Sequence, residues 1–267
     1  MFTKWNTAYA SAKGTSHEKT NIPCQDACKC QVNENEIFFG IASDGAGSAS
    51  RSEVSSKLVV GMFFDFFCKY VKSETDILLI DKLLVLKWLE EVKAQIFLEA
   101  HKESLSPREF ACTILGSIVG SENSVFFQIG DGAIVISEYQ STEYGYIFWP
   151  QHGEFANQTN FIIQSNLSEV LEFDHLKGFI NRIAMFTDGI ERLVLDFSEK
   201  SVYPPALNSI FEWLQNDLSL KSSESPSSAL NAFLNSSFIN NRTDDDKSLV
   251  MAARIFNEKF NVTHESV

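Results

Sequence analysis

No stretch of about 20 consecutive apolar residues occurs in the 267-residue chain, so the sequence offers no membrane span. Residues Met1 to Ala10 mix polar and apolar types and do not read as a signal peptide. Positive charge is scarce: 22 Lys and Arg stand against 35 Asp and Glu, a net charge of −13. A nucleic-acid binder needs a basic face, and none is visible, so that class is excluded. Disulfides are excluded too. The five cysteines (Cys24, Cys28, Cys30, Cys68 and Cys112) are odd in number, and Cys68 and Cys112 sit in apolar runs. Cys24, Cys28 and Cys30 lie close in sequence, but no second cysteine pair or His-x-His follows to complete a zinc site. No internal repeat appears, and the Ser-rich stretch Ser219–Ser228 reads as a loop between helices. The expectation is a cytoplasmic protein without membrane or nucleic-acid partners, monomeric, with residues 1–267 forming a single domain.

What is present suits a packed globule: 44% apolar and 21% charged residues, with 23 Phe for a bulky aromatic core. Short apolar runs predict strands at Ile37–Ser43, Thr113–Val119, Ser124–Ile129, Ala133–Ser137, Tyr144–Trp149, Arg182–Phe186 and Ser248–Ile255, with a short one at Phe161–Ile163. Two long segments predict helices. In the first, Val54, Leu58, Met62, Phe66 and Tyr70 form a stripe at four-residue spacing; in the second, Val85, Leu89, Val92, Ile96 and Ala100 form one at spacings of three and four. Later helices are expected at Ala206–Leu218 and Ser227–Phe233, the first entered through Pro204-Pro205 and the second with Pro226 at its start. This order is not a βαβ alternation. It predicts an α+β fold with antiparallel sheets and helices packed outside.

The chemistry gathers where strands stop. Ile37–Ser43 runs into Asp44-Gly45, Ser124–Ile129 into Gly130-Asp131-Gly132, and Arg182–Phe186 into Thr187-Asp188-Gly189. Asp244-Asp245-Asp246 precedes the last strand, and Asp26 stands just before a further short one. A single Asp-Gly is the ordinary signal of a turn. Three in one chain, each closing an apolar strand, suggest more. Carboxylates packed together repel unless cations neutralise them. Mg²⁺ and Mn²⁺ are hard ions that take oxygen ligands, and a glycine after the aspartate lets a backbone carbonyl approach them. Two such ions about 4 Å apart clamp a phosphate between them.

Six segments, in order, carry a resemblance. They are Gly14-Thr15-Ser16-His17 with Cys24-Gln25-Asp26-Ala27, Ser43-Asp44-Gly45-Ala46-Gly47, Ala111-Cys112-Thr113, Gly130-Asp131-Gly132, Thr187-Asp188-Gly189 and Asp245-Asp246-Lys247-Ser248. With them the sequence resembles the metal-dependent, type 2C serine/threonine protein phosphatases from about Gly14 to Ile255, and most of all their compact bacterial branch. The resemblance implies a four-layer α-β-β-α sandwich of two antiparallel β-sheets flanked by helix pairs. It also implies two Mn²⁺ or Mg²⁺ ions with a third, weaker site. By motif, Asp44 would bridge both metals and Gly45 would offer its carbonyl. Asp188 and Asp245 would complete one ligand set, Asp26 would hold the site directly or through waters, and Asp131 with Asp188 would support the third ion. Two positions depart from the pattern. His17 stands where members often carry a phosphate-gripping arginine, and would bind phosphate or act as an acid. Ala46 stands where some carry a histidine. Trp149–Thr159 falls at the family's flap, with His152 and Glu154 as candidates for substrate choice.

The implied reaction is hydrolysis of phosphoserine or phosphothreonine by direct attack of a metal-bridging hydroxide. No rival phosphatase chemistry is written here: Cys24 and Cys112 are not followed by Arg six residues on, and no Asp-x-Asp-x-Thr element occurs. The implied partners are a phosphoprotein substrate and an opposing serine/threonine kinase. Two other readings stay open at this point: a catalytically silent phosphoprotein-binding member of the same fold, and a phosphatase of small phosphoesters.

Overall fold

The computed structural model describes residues 3–256, except 140, 142, 152–158 and 217–224. Two five-stranded antiparallel sheets carry the fold. The first orders β1 (Thr3–Ala12), β12 (Lys247–Phe256), β9 (Ile180–Phe186), β6 (Ala133–Glu138) and β7 (Gly145–Tyr146). The second orders β2 (Ala27–Val32), β3 (Phe38–Ser43), β4 (Ile114–Val119), β5 (Asn123–Ile129) and β8 (Glu172–Lys177). A small hairpin joins β10 (Leu195–Asp196) to β11 (Ser201–Val202).

Three apolar layers explain the stacking. Between the sheets, Phe38, Leu115, Phe126, Ile183, Met185 and Val250 interdigitate. On the outer face of the second sheet, Phe39, Ile114 and Phe127 meet α2 (Ser52–Tyr70) and α4 (Lys82–Lys102). On the outer face of the first, Val135, Ala184, Phe186 and Met251 meet α6 (Asp188–Val194), α7 (Pro204–Asn216) and α8 (Pro226–Leu234). This is the expected α-β-β-α sandwich. Central strands are covered on both faces, so neighbours such as Phe38 and Phe39 are both buried, one toward each layer. That is why these strands read as unbroken apolar runs and not as alternations. Short helices α1 (Thr15–Thr20), α3 (Glu74–Ile77), α5 (Leu167–Val170) and α9 (Ser237–Asn240) link the layers.

Several expectations are corrected. Phe161–Ile163 is no strand: Ile162 is buried in a turn and its amide donates to the Cys112 carbonyl, so its apolar side chains signal packing alone. The strand expected at Tyr144–Trp149 shrinks to Gly145–Tyr146, at a sheet edge where pairing ends. In α2 the deepest face is Val59, Phe63 and Phe67, while Val54, Leu58, Met62 and Phe66 flank it and Tyr70 is 42% exposed. The helix is apolar nearly all round, so four-residue spacing admits more than one stripe. In α4 every member of the expected stripe is buried. Strands β1 and β8 carried too many polar residues to stand out. Of the expected Ser219–Ser228 loop, Ser225 caps α8 and 226–228 begin it; 219–224, with 217 and 218 of the expected Ala206–Leu218 helix, lie outside the described residues.

Candidate metal centre

Strand register brings the aspartates to one end of the sandwich. Ala27 pairs with Ser43, so Asp26 before β2 and Asp44 after β3 flank the same rung. In the other sheet Ala133 and Leu249 both pair with Phe186. That rung sets Asp131, Asp188 and Asp245 at the same end, just beyond β6, β9 and β12.

Each carboxylate has its own support. Thr113 fixes Asp44: its Oγ1 accepts the Asp44 amide at 3.0 Å, and its own amide donates to the Asp44 carbonyl at 2.8 Å. Asp26 is 3% exposed, and its Oδ2 accepts the Thr187 hydroxyl at 2.7 Å. Gly45 is buried and bridges to Cys112. Asp188 begins α6, so here Asp-Gly marks a helix start and not a hairpin. In the acidic triplet the side chains divide the work. Asp246 is buried and accepts from the amides of Gly14 and Gln25, both at 2.6 Å, and lies 2.9 Å from His17 Nδ1. It ties the first motif to β12. Asp245 remains on the cleft side, its Oδ1 accepting the Asp246 amide at 2.8 Å.

The electrostatics are those of a crowded anion cluster. Burial, together with Asp26, Asp188 and Asp131, raises the Asp44 carboxyl well above the usual range. Asp188 is pushed up to about 9 by burial and then by Asp131, Asp245 and Asp26. Asp26 is raised to about 7 by burial, although Asp44 and Thr187 offset part of it. Asp245 is also raised, first by burial. Without a cation, protons must relieve the repulsion. Asp26 Oδ1 is buried and accepts no hydrogen bond, an orphaned acceptor within the cluster.

Among the described residues no three Asp, Glu, His or Cys side chains close tightly enough to cage an ion by themselves. Magnesium-like ions keep several waters and take only one or two carboxylates, so a loose, all-oxygen donor set fits them. An apolar cavity of about 580 Å³ lies elsewhere, between α6, α7, α8 and α9, lined by Leu193, Tyr203, Ile210 and Phe233. It holds none of these carboxylates.

The candidates His152 and Glu154 lie outside the described residues. Ala46 is 9% exposed, and its amide donates to the Ala111 carbonyl, so it serves packing there. Sequence reasoning missed Glu191, which is 4% exposed and raised to about 7, first by burial. Its place three residues after Asp188 on one helix was the available signal. It also assigned no role to Thr113 and Thr187, although both stood within the motifs.

Comparison with known proteins places the chain in a family and matches its fold. A model of the family described as protein phosphatase 2C matches residues 13–235. The chain is 33% identical over 256 residues to serine/threonine-protein phosphatase 3 of Escherichia coli (strain K12), covering 93% of this chain and 98% of that one. Solved structures share the fold at lower identity. The catalytic domain of serine/threonine protein phosphatase PstP, in complex with two manganese ions, superposes with a TM-score of 0.63 at 13% identity, over 96% of this chain and 100% of that one. Stp1 of Staphylococcus aureus gives 0.60 at 14% identity, over 92% and 94%.

Proposed function

Because this chain belongs to the protein phosphatase 2C family, we propose that it is a metal-dependent phosphatase that hydrolyses phosphoserine and phosphothreonine in proteins. One observation carries the reading: carboxylates from both sheets converge at one end of the sandwich and raise one another's proton affinity. Asp26, Asp44, the Gly45 carbonyl, Asp188 and Asp245 hold two divalent ions of the Mn²⁺ or Mg²⁺ type, and Asp131 with Asp188 takes a weaker third. When bound, such ions neutralise phosphoryl charge and acidify water.

The chain's own side chains do the rest. Asp44, at the end of β3, is held by Thr113 at both its amide and its carbonyl. Thr187 orients Asp26. His17 supplies the phosphate contact or the leaving-group proton. With Nδ1 turned to Asp246, its Nε2 is the nitrogen available to substrate. Residues 1–267 act as one domain and as a monomer, opposing a serine/threonine kinase. No helix among the described residues is long and apolar enough to cross a membrane. All five cysteines are free thiols, which suits the reducing cytoplasm.

The test is hydrolysis of p-nitrophenyl phosphate and of a phosphothreonine peptide, with and without Mn²⁺, by wild type and Asp44→Asn. Metal-dependent turnover of both substrates, lost in the variant, supports the reading. Turnover of nucleotides or small esters but not the peptide redirects it to small phosphoesters. Mn²⁺ binding with no turnover of any substrate makes the chain a phosphoprotein-binding member.

A further inference from the structure

The turn that carries Asp131 is held almost entirely by side chains. Gly130 and Gly132 adopt φ of +106° and +85°, so the peptide groups on either side of Asp131 turn away from the sheet ladder and need other partners. Four side-chain hydrogen bonds supply them, and the Gln151 backbone amide adds a fifth to the Gly130 carbonyl at 3.3 Å. The Gly130 amide donates to Gln151 Oε1 at 2.8 Å, and the Gly132 amide to Glu191 Oε1 at 2.5 Å. Gln128 Nε2 donates to both glycine carbonyls, at 3.0 and 3.2 Å.

These partners are themselves fixed. Gln128 is fully buried in β5. Glu191 sits one turn after Asp188 on α6, so its bond to Gly132 ties the Asp131 turn to the helix that begins with Asp188. Gln151 is pinned from several directions. Its Nε2 donates to the Val170 carbonyl at 2.9 Å and to Glu172 at 3.0 Å, and its Oε1 also accepts from Asn160 Nδ2 at 3.0 Å.

We propose that Glu191 and Gln151 are positioning residues that clamp the Asp131 turn from opposite sides, and so set the separation of the Asp131 and Asp188 carboxylates and their affinity for a shared divalent cation. The proposal rests on the reading above, in which Asp131 and Asp188 take the weaker ion. Neither residue needs to touch the cation. Outer partners of this kind typically change metal affinity by about 10- to 100-fold when removed. A carboxylate also holds the Gly132 amide more firmly than a neutral acceptor does, and Glu191→Gln keeps an acceptor at the same place.

The experiment is Mn²⁺ binding to the full chain, followed by calorimetry and by the paramagnetic resonance of free Mn²⁺, for wild type, Asp131→Asn, Glu191→Ala, Glu191→Gln and Gln151→Ala. Thermal melting is recorded on each. The expected result is tight and weak binding in wild type, with the weak constant raised about tenfold or more in Asp131→Asn, Glu191→Ala and Gln151→Ala. Glu191→Gln should stay within about threefold of wild type, and tight binding should be unchanged throughout. If Asp131→Asn weakens the weak site and the clamp variants do not, the clamp is wrong and the phosphatase reading stands. Loss of both sites together in the folded clamp variants also overturns it, because the effect would not be confined to Asp131. A wild type that binds no Mn²⁺ removes the reading and the clamp with it.

Discussion

Thr187 donates its hydroxyl hydrogen to Asp26 Oδ2 at 2.7 Å, and Thr187 Oγ1 in turn accepts the Ser248 amide at 2.9 Å. The bond crosses from one sheet to the other, since Thr187 follows β9 and Asp26 precedes β2. One hydroxyl thus links the two halves of the cluster. Thr187→Val keeps the shape and removes both bonds. The variant should lose about 2 kcal/mol of stability, because a buried carboxylate oxygen and a buried amide are left without this partner. Its half-saturating Mn²⁺ should rise about tenfold. Urea denaturation and a Mn²⁺ titration of activity check the two effects.

Protons and cations should compete for the cluster. Asp26 and Asp188 are held at about 7 and about 9, and Asp44 is raised well above its ordinary value, first by burial. In the unfolded chain these carboxyls titrate near 4, so between about pH 4 and 9 the folded state binds more protons. Metal-free stability must therefore fall as pH rises through that window. Its melting temperature should drop by roughly 5 °C between about pH 5 and pH 8. Saturating Mn²⁺ should flatten the dependence, and Mn²⁺ affinity should rise with pH. A metal-free melting temperature that climbs across the window would count against a repulsive, cation-seeking cluster.

Asp44→Asn should act in opposite directions with and without metal. Asp44 is raised by burial and by Asp26, Asp188 and Asp131, so its charge opposes folding when no cation is present. Removing that charge should raise the melting temperature of the metal-free protein by a few degrees. In excess Mn²⁺ the order should reverse: at about 100 times its dissociation constant a bound ion adds about 2.7 kcal/mol to the wild type. Scanning calorimetry of both proteins, in chelator and in Mn²⁺, reads the crossover. Parallel shifts in both conditions would deny Asp44 a part in metal binding.

His17 and Asp246 separate a chemical role from a structural one. Asp246 accepts from the Gly14 and Gln25 amides and contacts His17, so Asp246→Ala should destabilise by about 3 kcal/mol. His17→Ala leaves both amides satisfied. It should lower kcat/KM for a phosphothreonine peptide about tenfold or more, with little change in melting temperature. If instead stability falls and the kinetics hold, His17 is only the tether of α1.

Much of the fold and the site was legible because local chemistry wrote it. Apolar runs in β3, β4, β5 and β9 named the central strands, and a full stripe in α4 named its buried face. Aspartates at the ends of those runs named the candidate ligands, since carboxylate next to glycine at a strand end is a local pattern. What stayed hidden depends on partners distant in sequence. β8 is an edge strand with exposed Asp174 and His175, so its only signature is the pairing with β5. The motif register singled out Asp245 of the triplet Asp244-Asp245-Asp246, but nothing there showed that Asp246 would be a buried tie. Asp246 became the tie because packing placed the Gly14 and Gln25 amides, more than 200 positions away in the chain, within 2.6 Å. Glu191 gained its role the same way, by meeting the Gly132 amide across the sandwich end. The sequence alone determined which groups carry charge and where strands must end. Only the tertiary structure decided which of those charges face one another, because Coulomb energies and hydrogen bonds depend on distances that chain position does not encode.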